Sequence, residues 1–207
     1  MATQAKRIRR TPDDAQREIL DAAERLLEER AFRDVSVDEL MARTGMRRSS
    51  FYHYFRGVDD VAIALIRRVQ GEMMEAAAPA LEADEDTDLV DATERAIRGS
   101  AEIFARHATV LTAIHEASFH SAKVQEVWRA EVLGDWIGAI AAQLRAQAER
   151  GATRLDEPEE TARALLLMNT EVFVERLGRT PRDEPAAVAR TLARIWLGAL
   201  YPEALVQ

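Results

Sequence analysis

The chain has 207 residues, of which 47% are hydrophobic and none is cysteine, and its formal net charge is −8. This length and composition predict a globular protein with a sizeable core, and the lack of thiols excludes disulfides and thiolate metal sites. No apolar run reaches the roughly 18 to 20 residues that a membrane span needs, and no apolar segment follows the basic start MATQAKRIRR. We therefore expect a protein that is neither secreted nor membrane-bound and that stays in the cytoplasm.

The charge is unevenly distributed along the chain. Residues 1–70 carry 14 Lys and Arg against 12 Asp and Glu, whereas residues 71–207 carry 14 against 24. Two stretches, residues 1–12 and 43–56, are basic and contain no acid. Their basic side chains are Lys6, Arg7, Arg9 and Arg10 in the first, and Arg43, Arg47, Arg48 and Arg56 in the second. Such islands either mark a surface that binds a polyanion or are ordinary solvated surface, and charge alone leaves both readings open.

The first two predicted elements are helices with clear capping signals. Thr11 to Asp14 starts the first helix, since it offers a hydroxyl cap, a proline in the first turn and carboxylates near the positive end of the helix dipole. An apolar stripe carries this helix to about Arg30. Ser36 and Glu39 then form a capping box, which predicts a short second helix from about Val37 to Arg43.

A glycine turn and a third helix follow. Gly45 can adopt the positive φ that ends a helix, and the third helix is predicted from about Arg47 to Tyr54. A capped helix, a glycine turn and a second helix of this length form a helix-turn-helix, whose second helix enters the DNA major groove. On that helix Phe51 and Phe55 share a face with Met46, and we expect this face to pack against the first two helices.

The opposite face of the third helix carries Arg47, Arg48, Ser50, Tyr52 and His53. Arginines suit bidentate contact with guanine or phosphate, and hydroxyl and imidazole groups can donate to phosphate oxygens. Short capped helices with a glycine between them also occur by chance, so this pattern alone is a weak signal. The restriction of basic residues to the outer face strengthens the prediction of a DNA-binding helix.

The rest of the chain predicts helices throughout, with no period-2 run typical of a strand. The predicted bounds are Asp59–Ala80, Leu89–Arg106, Thr109–Ala117, Ala122–Arg150, Glu157–Leu177 and Pro185–Leu200. Together with the first three, these segments make nine helices and an all-α fold. We find no internal repeat and no low-complexity segment.

The run VSVDELMARTGMRRSSFYHYF, Val35 to Phe55, resembles the N-terminal DNA-binding domain of TetR-family transcriptional regulators. In that family a hydroxyl starts the second helix, a turn with glycine follows, and an aromatic F-Y-x-Y-F segment forms the recognition helix. Two positions depart from the pattern: Arg47 stands where serine is frequent, and Val58 stands where lysine is frequent. The missing lysine removes one expected phosphate contact, which Arg47 and Arg56 can replace. The resemblance implies phosphate or base contacts for Ser36, Thr44, Arg47, Arg48, Ser50, Tyr52 and His53.

Two later stretches, LLLMN (Leu165 to Asn169) and RIWLGALY (Arg194 to Tyr201), look like the ethionamide-resistance regulator branch of the same family. That likeness implies an elongated apolar pocket inside the helical bundle and a dimer made by the last two helices. Within the last helix we expect Leu192, Ile195 and Leu200 to supply much of the contact between two identical subunits.

Six residues are candidates for the wall of this pocket: Phe104, Trp128, Trp136, Asn169, Phe173 and Trp196. Asn169 lies on an apolar stripe, where its amide either orients a ligand or bonds a neighbouring backbone carbonyl. Each aromatic ring taken alone fits core packing better than a pocket wall, whereas three tryptophans around one interior amide fit an apolar pocket. Because Asn169 is the only strong polar candidate, we expect the ligand to be apolar and uncharged.

The stretch HEASFH, His115 to His120, differs in spacing from the zinc-protease pattern HExxH. Histidines five residues apart point about 140° apart around a helix, so one unbroken helix cannot offer both to one metal ion. The chain also contains neither a glycine-rich phosphate loop nor a thiol nucleophile. We therefore expect no metal, no cofactor and no enzymatic activity.

These features together predict an all-α, ligand-responsive DNA-binding transcriptional regulator. Residues 1–58 form the helix-turn-helix domain with a basic arm, and residues 59–207 form the ligand-binding and dimerisation domain. We expect a homodimeric repressor that binds a palindromic double-stranded operator and is released by a small apolar ligand. The alternative is an all-helical protein-interaction module whose basic N-terminus meets an acidic partner.

Overall fold

The chain is a succession of helices, and no strand occurs within residues 11–205, which are the residues that the computed structural model describes. The helices are α1 (Pro12–Leu27), α2 (Val37–Thr44), α3 (Arg48–Phe51), α4 (Val58–Leu81), α5 (Leu89–Arg106), α6 (Ala108–Ser118), α7 (Ala122–Val127), α8 (Asp135–Glu149), α9 (Pro158–Leu177) and α10 (Pro185–Leu200). A π-helical segment (Trp128–Gly134) joins α7 to α8, and 3-10 turns cover Phe32–Asp34 and Pro202–Leu205. The all-α prediction is confirmed. No helix in this part of the chain is long and apolar enough to cross a membrane.

Both predicted N-terminal caps are present. Thr11 precedes α1 and accepts a hydrogen bond from the Asp14 N–H over 3.2 Å, and Ser36 precedes α2 and accepts one from the Glu39 N–H over 3.3 Å. Gly45 ends α2 with a φ of 66°, the left-handed conformation that costs glycine little. The capping signals therefore placed both helix starts correctly, while α1 ends about one turn earlier than expected.

Helix α3, the predicted recognition helix, is shorter than expected. Regular α-helix covers Arg48–Phe51 instead of Arg47 to Tyr54. The N–H groups of residues 53 and 54 donate to carbonyls three residues earlier, over 3.3 and 2.9 Å, instead of four residues earlier. This tighter bonding ends the regular helix, so residues 52–54 form a hydrogen-bonded turn that extends it.

The long helix predicted from Ala122 to Arg150 contains a π-helical segment in its middle. Gly134 closes this segment, and a Cβ atom at that position would lie 3.3 Å from the carbonyl oxygen of Arg129, five residues earlier. The wider turn brings this carbonyl close to the glycine. Side-chain periodicity cannot distinguish one wide turn from regular α-helix, which explains why the sequence predicted a uniform helix.

Two hydrophobic cores follow one another along the molecule. The first joins α1, α2, α3 and the first half of α4 to α6, and Leu26, Phe51 and Leu65 are among its fully buried side chains. The second joins the rest of α4 to α5, α8, α9 and α10. α4 belongs to both, with Val61 in the first core and Val69 in the second. The domain boundary at residue 58, at the start of α4, stays a prediction.

Candidate DNA interface and ligand cavity

One edge of α3 and its following turn is buried, and the other is open to solvent. Phe51 and Phe55 are 0% and 4% exposed, and both belong to the first core. The side chains on the open edge, all exposed except for a half-buried serine, are Arg47, Arg48, Ser50, Tyr52 and His53. The predicted division into an inner aromatic edge and an outer polar edge is confirmed.

Arg48 lies between two partners on the outer surface. Its Nη1 is 2.7 Å from Asp38 Oδ2 on α2, and its Nη2 donates to the Tyr52 hydroxyl over 3.4 Å. The Tyr52 hydroxyl and the charge of Asp38 raise the pKa of Arg48 above its ordinary value, so the guanidinium is always charged. Such an exposed ion pair contributes little to stability, so Arg48 can exchange Asp38 for another anion. The sequence offered no sign of this pairing.

The arginines of the second basic island play different structural parts. Arg43 forms two hydrogen bonds with the Glu29 carboxylate, one of them 2.8 Å long, and ties α2 to the chain just beyond α1. Arg47 and Arg56 form no ion pair with any residue that the structure describes, so both remain available to an anion. The first basic island, with Lys6, Arg7, Arg9 and Arg10, lies outside the described residues.

Ser36 and Thr44, the two hydroxyls at the ends of α2, are engaged within the protein. The Ser36 hydroxyl donates to Glu39 Oε2 over 2.7 Å, and the Ser36 N–H donates to the same oxygen. These two hydrogen bonds lower the pKa of Glu39. The Thr44 hydroxyl donates to the Met41 carbonyl over 3.0 Å and accepts from the Met46 N–H over 3.2 Å. Both residues thus fix the ends of α2, and their predicted phosphate contacts remain predictions.

A cavity of about 150 Å³ lies inside the second core. The structure brings all six predicted pocket residues to its wall, although they come from α5, the π-helical segment and α8 to α10. They are Phe104, Trp128, Trp136, Asn169, Phe173 and Trp196. Apolar side chains supply most of the remaining wall. The role of these residues in binding a ligand stays a prediction.

Asn169 is 8% exposed, and Trp196 holds its amide in one orientation. The Trp196 Nε1–H donates to Asn169 Oδ1 over 2.9 Å. An indole nitrogen can only donate, so the amide atom that faces it must be the oxygen. The Nδ2 of Asn169 has no hydrogen-bond partner among the described residues and lies at the cavity wall. Neither alternative of the sequence analysis included this indole partner.

The expectation that Asn169 is the only strong polar group of the interior is wrong. Gln147, 2% exposed, and Thr93, 7% exposed, also line the cavity, and the Tyr201 hydroxyl donates to Gln147 Oε1 over 2.6 Å. Gln147 follows Ile140 and Leu144 at helical spacing, so the apolar face of α8 could have placed it inside. Its pairing with Tyr201, which is 54 residues away, had no sequence signal.

The cavity wall contains no Asp, Glu, Lys, Arg or His among the residues that the structure describes. Among the described residues of the wall, Tyr201 is the only one with an ionisable side chain, and burial raises the pKa of its phenol despite hydrogen bonds to Gln147 and Thr93. The phenol is therefore neutral at physiological pH, and the wall offers no charge to an ionised ligand. The expectation of an uncharged ligand stays a prediction.

His115 is buried and has packing partners that explain it without a metal. Its ring meets Phe119 and Trp128 edge-on, with centroids 5.1 and 5.5 Å away, and its Nε2 lies 3.2 Å from Glu171 Oε1. His120 is exposed beyond the end of α6. Within residues 11–205, no group of three His, Asp or Glu side chains could hold a metal ion.

The predicted dimer contacts on α10 need a correction. Leu192 and Leu200 are 1% and 3% exposed, because they lie on the stripe of α10 that packs into the second core of the same chain. They are therefore not available to a partner subunit. Ile195 on α10 and Leu167 on α9 are 45% and 42% exposed, and these are large apolar side chains that the two helices leave open.

Comparison with known proteins gives consistent similarities for both halves of the chain. Residues 19–65 match the family model described as bacterial regulatory proteins, tetR family, and residues 93–202 match that of the transcriptional regulator EthR, C-terminal domain. The HTH-type transcriptional regulator EthR of Mycobacterium tuberculosis is 35% identical over 193 residues, which are 92% of this chain and 89% of that protein. EthR of Mycolicibacterium smegmatis is 34% identical over 199 residues, 91% of this chain and 87% of that protein.

Solved structures share the fold at lower sequence identity. A TetR-like transcriptional regulator from a Rhodococcus species has a TM-score of 0.68 and 23% identity, with 92% of this chain and 98% of that chain covered. The fatty acid degradation regulator FadR from Bacillus halodurans has a TM-score of 0.72 and 18% identity, with 93% and 98% covered. The overall fold of the chain is thus one found in solved structures.

Proposed function

The chain belongs to the TetR family of transcriptional regulators, and from this premise we propose that it is a repressor that a small apolar ligand releases from its operator. Regulators of this family bind DNA and are not enzymes. We propose that residues 1–58 bind the DNA and that residues 59–207 bind the ligand and the second subunit. Because such a regulator works on chromosomal DNA, the proposal places it in the cytoplasm.

The observation that carries the proposal is the open polar edge of α3 above its buried aromatic edge. Burial of Phe51 and Phe55 fixes the helix, so the outer side chains have a stable base from which to contact a duplex. We propose base or phosphate contacts for Arg47, Arg48, Ser50, Tyr52 and His53. Ser36 and Thr44 also contact phosphate in this proposal, and each exchanges its partner within the protein for the phosphate oxygen.

The test is to sequence the DNA that the purified protein retains from its own genome and to titrate the enriched duplex at increasing salt. We expect one palindromic sequence to be enriched, and its association constant to fall with salt as phosphate contacts release counterions. If no sequence is enriched, or if binding does not depend on salt, the alternative of a protein-interaction module is favoured.

We propose that the protein acts as a homodimer. One short recognition helix reads too few base pairs for useful specificity, whereas two copies related by a two-fold axis read half-sites one or more helical turns apart. The exposed Ile195 and Leu167, on neighbouring helices α10 and α9, support a contact surface at this place. A two-fold contact uses the same surface on both subunits.

We expect Ile195→Asp to weaken the dimer about a hundredfold. The two-fold axis places the substitution twice in the interface, and the loss of about 1.5 kcal/mol or more of apolar burial at each copy gives about 3 kcal/mol. Sedimentation across a concentration series measures the dimer dissociation constant. Phe119→Asp, at a side chain that is 67% exposed on another surface, is the control and should leave the dimer intact. A wild-type protein that is monomeric at micromolar concentration, with and without operator DNA, contradicts the proposal.

The cavity is connected to the DNA-binding part through α4 and the π-helical segment. Ile66 and Trp128 line the cavity and also pack in the first core. Arg67 on α4 donates to both carboxylate oxygens of Glu131 in the π-helical segment, over 2.7 and 2.6 Å. A ligand that favours another position of α4 therefore changes the spacing of the recognition helices. Linkage then requires bound DNA to weaken ligand binding by the same factor by which the ligand weakens DNA binding. The coupling free energy between two such sites is typically about 1–3 kcal/mol.

We expect Asn169→Leu to weaken the binding of methyl decanoate, an apolar probe with one carbonyl group, by about tenfold. The substitution removes the open Nδ2 donor at the cavity wall, and one hydrogen bond contributes about that much. Fluorescence titration measures binding, because all three tryptophans line the cavity. DNA affinity of the ligand-free protein should stay nearly unchanged, since Asn169 lies far from α3. Trp196→Phe keeps the amide and is the control for loss of the indole bond. If Asn169→Leu binds the probe like wild type, Asn169 is a structural amide.

A further inference from the structure

The cavity extends along α4, and Asn169 and Gln147, the two buried side chains among the four carboxamides that line it, lie in different parts of it. The α4 side chains that line it run from Ile66 to Leu81, which corresponds to about 22 Å of helix. α5 runs beside α4 and contributes Thr93 near its start and Phe104 near its end. The cavity is therefore elongated, and the residues around it can be ordered from the start of α5 to its end.

Asn169 lies toward the end of the cavity marked by Phe104. Phe173, one turn further along α9, stacks on Phe104 with ring centroids 5.4 Å apart. Gln147 lies toward the other end, in the last turn of α8, and bonds Tyr201 just beyond the end of α10. Trp196, the partner of Asn169, and Tyr201, the partner of Gln147, are five residues apart, about 7 Å along α10. The two amides thus belong to separate sites in the same cavity.

Gln147 has an unpaired donor in a nearly closed environment. Its side chain is 2% exposed, and its Oε1 accepts from the Tyr201 hydroxyl over 2.6 Å. Its Nε2 has no hydrogen-bond partner among the described residues, and Gln147 lines the cavity. The Nε2 is not among the fully buried polar atoms that lack a partner, so it keeps accessible surface, and an acceptor brought into the cavity by a ligand can bond it.

We propose that Gln147, held by Tyr201, forms a second polar subsite that binds an acceptor oxygen at the far end of the ligand from Asn169. The ligand is then an elongated, uncharged molecule with a carbonyl or similar acceptor at each end and an apolar middle. This inference rests on the proposed function, since it assumes that the cavity is the ligand site. It adds that ligands with two acceptors are preferred over purely hydrocarbon-tailed ones of the same length.

The test compares two uncharged esters of equal chain length, dimethyl suberate with a carbonyl at each end and methyl decanoate with a carbonyl at one end. Their dissociation constants are measured by tryptophan fluorescence in wild type and in Gln147→Leu. We expect the substitution to weaken dimethyl suberate about tenfold and to change methyl decanoate by no more than about twofold. Gln147→Met, which keeps the side-chain length without the donor, should behave in the same way.

Tyr201→Phe tests the bond that holds Gln147, because it leaves the amide donor but removes the hydroxyl that orients it. It should weaken dimethyl suberate, but less than Gln147→Leu does, and thermal unfolding followed by circular dichroism establishes that each variant is folded. The proposal of a second subsite is wrong if both Gln147 variants bind dimethyl suberate like wild type, or if they weaken the binding of both esters alike. If Asn169→Leu still weakens methyl decanoate in that case, the proposed ligand site stands without the subsite. If wild type binds neither ester, the ligand site itself is wrong, while DNA binding is judged separately by the retained genomic DNA.

Discussion

We expect Phe51→Ala to lower the free energy of unfolding by about 3–5 kcal/mol, the usual cost of truncating a buried phenylalanine. Phe51 is 0% exposed, and its ring lies 5.6 Å from that of Phe55 and 5.4 Å from that of Tyr52, measured between centroids. It fills the space between α3 and the first core, so its removal leaves a cavity where the recognition helix is attached. Chemical denaturation followed by circular dichroism measures the change.

The neighbouring Tyr52 provides the control for this prediction. Tyr52 is 52% exposed, so Tyr52→Ala should change the free energy of unfolding by no more than about 0.5 kcal/mol. Its effect should appear in DNA affinity instead. Equal destabilisation by the two substitutions would mean that α3 has no buried edge of the kind described, and the outer edge would then have no rigid base.

Local chemistry made the first helices predictable from sequence. Thr11 offers a hydroxyl cap before a proline and two carboxylates, and Ser36 with Glu39 has the spacing of a capping box, so both helix starts are specified by neighbouring residues alone. Gly45 marks the end of α2 for an equally local reason, since its φ of 66° suits glycine. The inward position of Phe51 follows from helical spacing as well, because Phe51 and Phe55 are one turn apart.

Features that depend on hydrogen-bond geometry or on distant contacts could not be predicted in this way. At the end of α3 the backbone hydrogen bonds span three residues instead of four, and in the π-helical segment Trp128–Gly134 they span five. A change of one residue leaves the side-chain periodicity almost unchanged. Periodicity identified the apolar stripe of α10, but it could not show whether this stripe packs into the core of the same chain or against a partner subunit. That is why Leu192 and Leu200 were predicted at the dimer contact and lie in the core.

In the candidate cavity, too, some features could be predicted from the sequence and others could not. The family resemblance implied the pocket, residue types then supplied six candidates for its wall, and all six lie there. The pairs Trp196 with Asn169 and Tyr201 with Gln147 join different helices or helix ends. Each pair decides which amide atom is left open to a ligand, so the hydrogen-bonding character of the cavity required the structure.

The second large effect is expected at Arg48. Arg48→Ala should weaken binding of the enriched operator by roughly 5- to 150-fold and relax the preference at one base position, as for a lost bidentate base contact. Arg48 is exposed, permanently charged and held only by the exposed Asp38 and by Tyr52, so its guanidinium can turn to a guanine without breaking the core. Fluorescence anisotropy with the operator and with a set of single-base variants measures both the affinity and the preference.

Two variants of its neighbours test whether Arg48 acts through a base. Tyr52→Phe removes a hydroxyl that we assign to phosphate, so it should weaken all duplexes alike and leave the base preference unchanged. Asp38→Asn removes the competing anion of Arg48, so operator binding should stay equal or become tighter. If Arg48→Ala instead weakens every duplex by the same factor, Arg48 contacts phosphate. If it changes no duplex while salt still weakens binding, another residue of the outer edge, with Arg47 the first choice, makes the base contact.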